Sequence, residues 1–309
     1  QEKLDTIPYE KILNDDHYEL LEKKVVSSLN EEVVNQRIKF ETVLSQVKQR
    51  KSSFWFNDYR FYYDCLVYAS QLLELVPKYT QKDFISIESG IKEYESTLFK
   101  VDQLYRKFIW SYRETNQNRV LNQLYLKIEK VYSNDWLLTI NNSWQQIIDS
   151  NTKWPIKGVN SQQLFFKTHV KPLVDKKQKV FVVISDAMRY ECGEELATMI
   201  QNENRYQASV ESMIGSLPSY TQLGMASLLP RKDKITIKQG SDLILVDGIS
   251  SSGVDGRTKI LEANSGCRAT AIQSEKFMRM NSSTEGRSFA KSYDVIYIYS
   301  NLIDLIMYN

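Results

Sequence analysis

Apolar residues in the first half of the chain recur at helical spacing. In "YRFYYDCLVYASQLLELV", Phe61, Cys65, Tyr68, Leu72 and Leu75 follow one another at steps of three and four, the repeat that gathers side chains on one face of an α-helix. In "VLNQLYLKIEKVY", Val120, Leu124, Ile128 and Val131 do the same. Pro77 is placed between helices, where it ends one at little cost. The second half has a different texture. "VFVVISD" and "YDVIYIYSN" are short β-branched or aromatic runs flanked by turn residues, the pattern of buried strands. "LILVDG" reads likewise. The stretches "ECGEELATMIQNE" and "GRTKILEANSG" between them are helical in pattern. Strands alternating with helices predict a mostly parallel sheet with helices on both faces.

Glycine marks the change. Residues 1–157 hold one glycine, Gly90, and residues 158–309 hold the other ten. A region almost without glycine has few tight turns, and long helices need few. Two domains are expected: a helical bundle or stacked helical hairpins over 1–157, and an α/β domain over 158–309. The segment "KWPIKGVNSQQLFFKTHVKPLVDKKQ" joins them, with Phe165, Phe166 and Val170 in a helix that leads into the first strand.

Charge narrows the function little. Forty basic and 38 acidic residues leave a net charge of +2, so no electrostatic footprint for nucleic acid stands out. Cys65, Cys192 and Cys267 lie far apart, without metal-ligand spacing or a disulfide framework, which fits a reducing cytoplasm. No signal peptide and no apolar run of about 18 residues supports export or a membrane span. The first residue is Gln1, so a fragment or processed product is expected.

Ligands in open α/β sheets bind at the carboxyl ends of the strands. Asp186 ends "VFVVISD" and Asp247 ends "LILVD". Each is either a ligand or a structural group, since Asp is a favoured helix cap and Asp-Gly is ordinary turn chemistry. "GSLPSYTQLGMASLLP" places Ser216, Ser219 and Thr221 before an amphipathic run. One of them is expected to cap that helix, and a hydroxyl there also stands where a helix N-terminus receives phosphate. The two histidines, His17 and His169, lie away from the strand ends, so a Ser-His-Asp triad lacks its base. A hydroxyl nucleophile would instead need a metal held by carboxylates. A Gly-Lys-Ser/Thr loop and a G-x-G-x-x-G fingerprint are both missing, which argues against a nucleotide fold.

Taken in order, "VFVVISDAMRYECGEEL", "SLPSYTQLGMASLLP", "VDGISSSGVDGRTKIL" and "YDVIYIYSNLID" resemble the PglZ family of BREX phage-defence systems, within the alkaline phosphatase superfamily. The resemblance covers about residues 178–309. It implies a doubly wound, mostly parallel α/β domain of alkaline phosphatase-like type, incomplete at its C-terminus and preceded by an all-α domain. It implies a divalent metal at the strand ends, usually zinc in this superfamily, with manganese the alternative. Asp186 matches the family's first metal-binding aspartate. Thr221 matches the metal-bound nucleophile, with Ser216 the weaker candidate. Asp304 matches an aspartate of the family's Tyr-His-Asn-x-Ile-Asp stretch. Arg189 is a phosphate contact by proximity. The family's histidine in that stretch is replaced by Ser300, and later ligands of the pattern lie beyond "LIMYN". The expectation is therefore a half-built metal site with weak or no metal binding, and a chain inactive by itself.

Three functions compete. The first is a metal-dependent phosphatase or phosphodiesterase in a cytoplasmic phage-defence complex, acting with other BREX proteins on DNA or a nucleotide. The second is a non-catalytic scaffold whose aromatics (Trp55, Tyr59, Phe61, Tyr62, Tyr63) dock partners or, as the bland alternative, fill the helix core. The third is nucleic-acid binding by "KSSFWFNDYRFYY", whose aromatics could stack on bases beside Lys51 and Arg60, though Asp58 and Asp64 interrupt it.

Overall fold

The periodic runs of the first half fold into helices. The computed structural model describes residues 6–80, 84–115, 118–151, 153–156 and 158–307. The chain divides into two compact units, Gln1–Asn151 and Thr152–Asn309. The first holds α1 (Glu19–Val34), α2 (Phe40–Arg50), α3 (Phe56–Tyr79), α4 (Ile87–Glu93), α5 (Phe99–Glu114), α6 (Asn122–Lys130) and α7 (Leu138–Asp149). π-helical stretches join α4 to α5 (Tyr94–Leu98) and α6 to α7 (Val131–Leu137).

The face of α3 that enters the core is centred on Cys65, Leu66, Ala69, Leu72 and Val76, all at or near zero exposure, and Phe61, Tyr68 and Leu75 flank it half-buried. A fully buried leucine or valine stabilises by about 1.5–3 kcal/mol relative to exposure, so this row carries the bundle. Pro77 lies inside the last turn of α3 rather than between helices. In α6 the buried positions are Leu124 and Ile128, preceded by Leu121 and followed by Tyr132, while Val120 is exposed. The π-helical turn beginning at Val131 shifts the phase that a 3.6-residue repeat extrapolates.

Two buried carboxylates organise the core. Glu22 pairs with Arg50 and accepts hydrogen bonds from the Tyr63 hydroxyl (2.5 Å) and the Ser53 hydroxyl (2.9 Å). Asp102 accepts from the hydroxyls of Tyr94 (2.6 Å) and Tyr132 (2.9 Å) and from the Trp136 indole (3.0 Å). A buried carboxylate is costly unless it is hydrogen-bonded, and both are. The aromatic cluster around Trp55 is mostly internal. Tyr62 and Tyr63 are buried, the Tyr59 hydroxyl donates to Glu19, and the Trp55 indole donates to the Asp16 carbonyl. Arg60 stacks on Phe61, which meets Trp110 edge-on.

In the second unit a 3-10 turn (Gln162–Leu164) and a π-helical turn (Phe166–Val170) lead into α8 (Lys171–Asp175) and β1 (Val180–Ser185). Next come α9 (Tyr190–Asn202), α10 (Thr221–Ser227), β2 (Ile235–Ile237), β3 (Ile244–Val246), β4 (Ile249–Ser250) and α11 (Gly253–Asn264). The last elements are β5 (Ala269–Gln273), α12 (Ser274–Arg279), α13 (Glu285–Ser292), β6 (Val295–Ser300) and α14 (Leu302–Met307). β1, β6 and β5 form a parallel sheet in the order β1-β6-β5, with Val180 opposite Val295 and Ser185 opposite Ser300. One face packs Val182, Val295, Tyr297 and Tyr299 against Leu223 and Ala226 of α10 and Ile260 and Leu261 of α11. The other packs Ile272, Ile296 and Ile298 against Phe277 of α12 and Phe289 of α13.

"LILVDG" does form a strand, but in a separate antiparallel sheet, β2-β3-β4. Asp247 and Gly248 have φ of +50° and +82° and join β3 to β4 through a two-residue hairpin loop, the Asp-Gly signal of a type I′ turn. α11 approaches this hairpin closely: a Cβ at Gly256 would overlap the Ser250 carbonyl. Among the described residues no helix is long and apolar enough to cross a membrane.

Candidate functional site

The strand β1 stops abruptly. Asp186 is the residue after its last rung, and the Asp186 N–H still donates to the Ser300 carbonyl at 2.9 Å. Ala187 then turns into the left-handed region at φ +60°, an uncommon conformation for a residue with a Cβ. Such outliers persist where the surrounding fold over-determines them, and they cluster at functional sites. The Asp186 carboxylate accepts from the Ala187 N–H at 3.0 Å. It caps no helix, because α9 begins only at Tyr190 with Arg189 at its N-cap.

The hydroxyls of "GSLPSYT" separate into distinct roles. Tyr220 occupies the N-cap of α10 and no side chain caps that helix, so the expected cap by Ser216, Ser219 or Thr221 is not formed. Thr221 is the first helical residue, exposed, and its hydroxyl has no hydrogen-bond partner among the described residues. Ser216 is buried, and its hydroxyl is shared with Ser227 (2.7 Å) and accepts from the Gln163 amide (3.3 Å). Ser227 in turn donates to the Leu223 carbonyl at 2.7 Å. Ser216 thus fastens its loop to α10, and Thr221 is left available.

The loop is held from several sides. The Trp154 indole donates to the Gly215 carbonyl at 2.9 Å. Ile214 bridges to Ser161 through paired backbone hydrogen bonds. At the far end of α10, the buried Tyr297 hydroxyl of β6 donates to the Leu228 carbonyl at 2.8 Å, and burial pushes that phenol well above its usual value. These contacts bring Asp186, Ser219, Tyr220 and Thr221 around one cavity of about 460 Å³, with Gln162 on its wall and Met225 on its apolar side.

Arg189 does not line this cavity. Its guanidinium pairs with the buried Glu191 carboxylate at 2.8 Å and is half exposed. Asp304, half-buried in α14, is also outside the lining. His169 packs on Phe165, and His17 pairs with Asp15. Among the described residues no three of His, Cys, Asp and Glu converge as a metal-ligand set.

Asp247 is accounted for structurally. Burial pushes its carboxyl up, but backbone N–H groups of Lys232, Asp233 and Lys234 outweigh that and hold it below the usual value. The bonds are 2.7, 3.0 and 3.1 Å, and the Asn264 amide adds another at 3.0 Å. A larger cavity of about 1000 Å³ lies at the amino ends of the strands. Arg268 forks onto Asp294 there, and Lys179 caps the carbonyls of Ala290 and Tyr293. This cavity is at the wrong end of a parallel sheet for a ligand.

Gln162 escaped the sequence reading. A polar residue in a polar connecting segment carries no periodic signal, and only the fold brings it into one cavity with Asp186.

Comparison with known proteins returns one consistent result. The BREX system PglZ alkaline phosphatase-like domain matches residues 165–307. The alkaline phosphatase-like protein BrxZ of Escherichia coli O9:H4 (strain HS) is 35% identical over 292 residues, covering 91% of this chain and 33% of that protein. The alkaline phosphatase-like protein PglZ of Bacillus cereus (strain H3081.97) is 30% identical over 297 residues, covering 94% of this chain and 34% of that protein. The chain spans about a third of the length of these relatives.

Proposed function

This chain belongs to the PglZ family through residues 165–307, and from that premise we propose that its cavity is part of a phosphatase or phosphodiesterase site in a BREX phage-defence protein. The supporting observation is that Asp186 and Thr221, from separate stretches of sequence, line one cavity at the carboxyl end of the parallel sheet. The doubly wound frame of alkaline phosphatase-like proteins is inferred with it.

Thr221 is the nucleophile in this reading. Its hydroxyl is exposed to the cavity and uncommitted, whereas Ser216 is spent on packing. A threonine hydroxyl is a weak nucleophile at its free pKa, and no histidine lines the cavity to act as its base. A divalent ion, zinc or manganese, would lower the hydroxyl pKa and offset phosphoryl charge. The oxygen donors of Asp186 and Thr221 suit such an ion, but they are a partial set. Asp304, one turn beyond β6 but outside the lining of the cavity, is the further donor we assign, and it would have to approach Asp186 to complete more of the set. Asp186 is placed by the strand end and Thr221 by its helix, so both are oriented before any substrate arrives. The substrate class is a phosphate ester, with DNA or a nucleotide as the natural form, and the partners are other BREX proteins in the cytoplasm.

The test is hydrolysis of a nitrophenyl phosphodiester by the full-length protein with added zinc or manganese. Turnover that disappears in Thr221→Ala supports the reading. Turnover unchanged in that variant removes the nucleophile assignment. The partial donor set also favours a second reading, a non-catalytic scaffold. Full-length protein that retains its BREX partners in a pull-down, yet shows no turnover with either metal, would decide for it.

A further inference from the structure

Two adjacent glutamines meet different fates. Ser161 caps the short 3-10 turn Gln162–Leu164 by accepting from the Gln163 N–H. The Gln162 N–H donates to the Ile214 carbonyl at 3.0 Å, and the Ile214 N–H donates to the Asn160 carbonyl at 2.8 Å. The backbone of this turn is therefore fixed against the segment that leads into the Thr221 loop. The Gln163 amide is consumed inside the protein: it donates to Ser216 at 3.3 Å and accepts from Arg231 at 3.5 Å. The Gln162 side chain instead lines the cavity with Asp186 and Thr221. Its amide has no hydrogen-bond partner among the described residues.

The wall beside that amide is built from glycine. A Cβ on Gly215 would come within 3.6 Å of the Gln162 Oε1, and one on Gly224 within 3.8 Å. These are ordinary contact distances, so alanine would just fit and any longer side chain would press on the amide. Among the lining residues the charged group is Asp186, and none is Lys, Arg or His. Hydrogen bonds from this part of the chain to an anionic ligand must then come from neutral donors. A primary amide offers two N–H groups and keeps them at every pH.

We infer that Gln162 is a substrate-contact residue whose amide donates to a phosphoryl oxygen of the ligand held beside Thr221. This rests on reading the cavity as a phosphoryl-transfer site. The turn fixes the backbone, Gly215 and Gly224 give the amide its slot, and the donors stay unspent until a ligand arrives. Gln163 holds the loop, and Gln162 reads what the loop binds.

The experiment uses the full-length protein with zinc and compares wild type, Gln162→Ala and Gln162→Glu. It measures kcat and KM for bis(p-nitrophenyl) phosphate, orthovanadate affinity by calorimetry, and Tm. Expected is a loss in kcat/KM of about tenfold or more, as for a hydrogen bond to a charged group. The loss is larger in Gln162→Glu, because an isosteric carboxylate replaces a donor with a repelling acceptor. Vanadate affinity falls in parallel, and Tm stays at the wild-type value. Wild-type kcat/KM in both variants, to within about twofold, while Thr221→Ala is inactive, overturns the Gln162 assignment and leaves the phosphoryl-transfer reading standing. A wild type without turnover, whose vanadate binding nonetheless weakens in Gln162→Glu, upholds the contact and removes the catalytic reading. Neither turnover nor vanadate binding in the wild type overturns both. A lowered Tm with unchanged kcat/KM assigns Gln162 to packing and overturns the inference.

Discussion

The Asp186 N–H donates to the Ser300 carbonyl at 2.9 Å, one step beyond the last residue pair of the β1–β6 ladder. The hydrogen bond carries the register of two buried strands into the turn that presents the Asp186 carboxylate. That carboxylate's own hydrogen bond is to the adjacent Ala187 N–H, so the fold draws little support from it. Asp186→Asn is expected to leave Tm near wild type and to lower metal-dependent turnover about a hundredfold or more. Even residues that only orient a ligand are worth about 10–100-fold. Thermal melts and steady-state kinetics of the full-length protein check both halves.

Ser216 and Thr221 make the opposite pair. Ser216→Ala removes a buried hydroxyl shared with Ser227 and Gln163, at an expected cost of about 1–2 kcal/mol. Turnover per folded molecule survives. Thr221→Ala is expected to keep stability and lose turnover. Urea melts read beside initial rates separate the two. A stable, inactive Ser216→Ala would reverse the assignment.

Asp247 gives a pH signature. Its folded carboxyl lies below the usual value, so the stability it contributes is fully present above the unfolded value of about 3.9 and is lost as pH falls through the folded one. In Asp247→Asn that acid-side loss shrinks. The check is the urea midpoint followed from neutral pH down through about pH 3, where the wild-type curve is expected to fall more steeply than the variant's.

In the helical unit, Asp102→Ala would remove the acceptor shared by the Tyr94 and Tyr132 hydroxyls and the Trp136 indole N–H. The expected cost is about 3 kcal/mol, since three neutral donors lose one charged acceptor at about 1 kcal/mol or more each. A denaturant melt measures it. A loss under about 1 kcal/mol would mean that water reaches the three donors.

Much of this architecture was legible in the chain, and the failures have physical causes. β6 is an apolar run buried on both faces, and β1 is equally apolar although Phe181 and Val183 on its outer face are exposed, so pattern alone found both and put Asp186 at a strand end. β5 reads "ATAIQ", too small and mixed to signal a strand. Its alanines are buried beneath α11, which packs closely on it. "LILVDG" is a strand by any periodicity rule, but its Asp-Gly makes it half of a hairpin, not a member of the parallel sheet. Ahead of α6 the 3-10 turn Asn118–Leu121 breaks the helical repeat, and Leu121 is buried there in place of Val120. The shared cavity of Asp186 and Thr221 could be anticipated from motif order. The division of labour between Ser216 and Thr221, or between Gln163 and Gln162, could not, because neighbouring residues of like chemistry differ only in what the folded chain sets against them.

Trp154 has a practical bearing on how the protein can be dissected. Its indole braces the Gly215 carbonyl from a position that the change in glycine content at residue 157 would assign to the helical half. An α/β fragment expressed from residue 158 would lack that brace and would present a looser Thr221 loop than the intact protein. Negative results from such a fragment would report the cut. A fragment meant to report on the cavity has to begin upstream of Lys153.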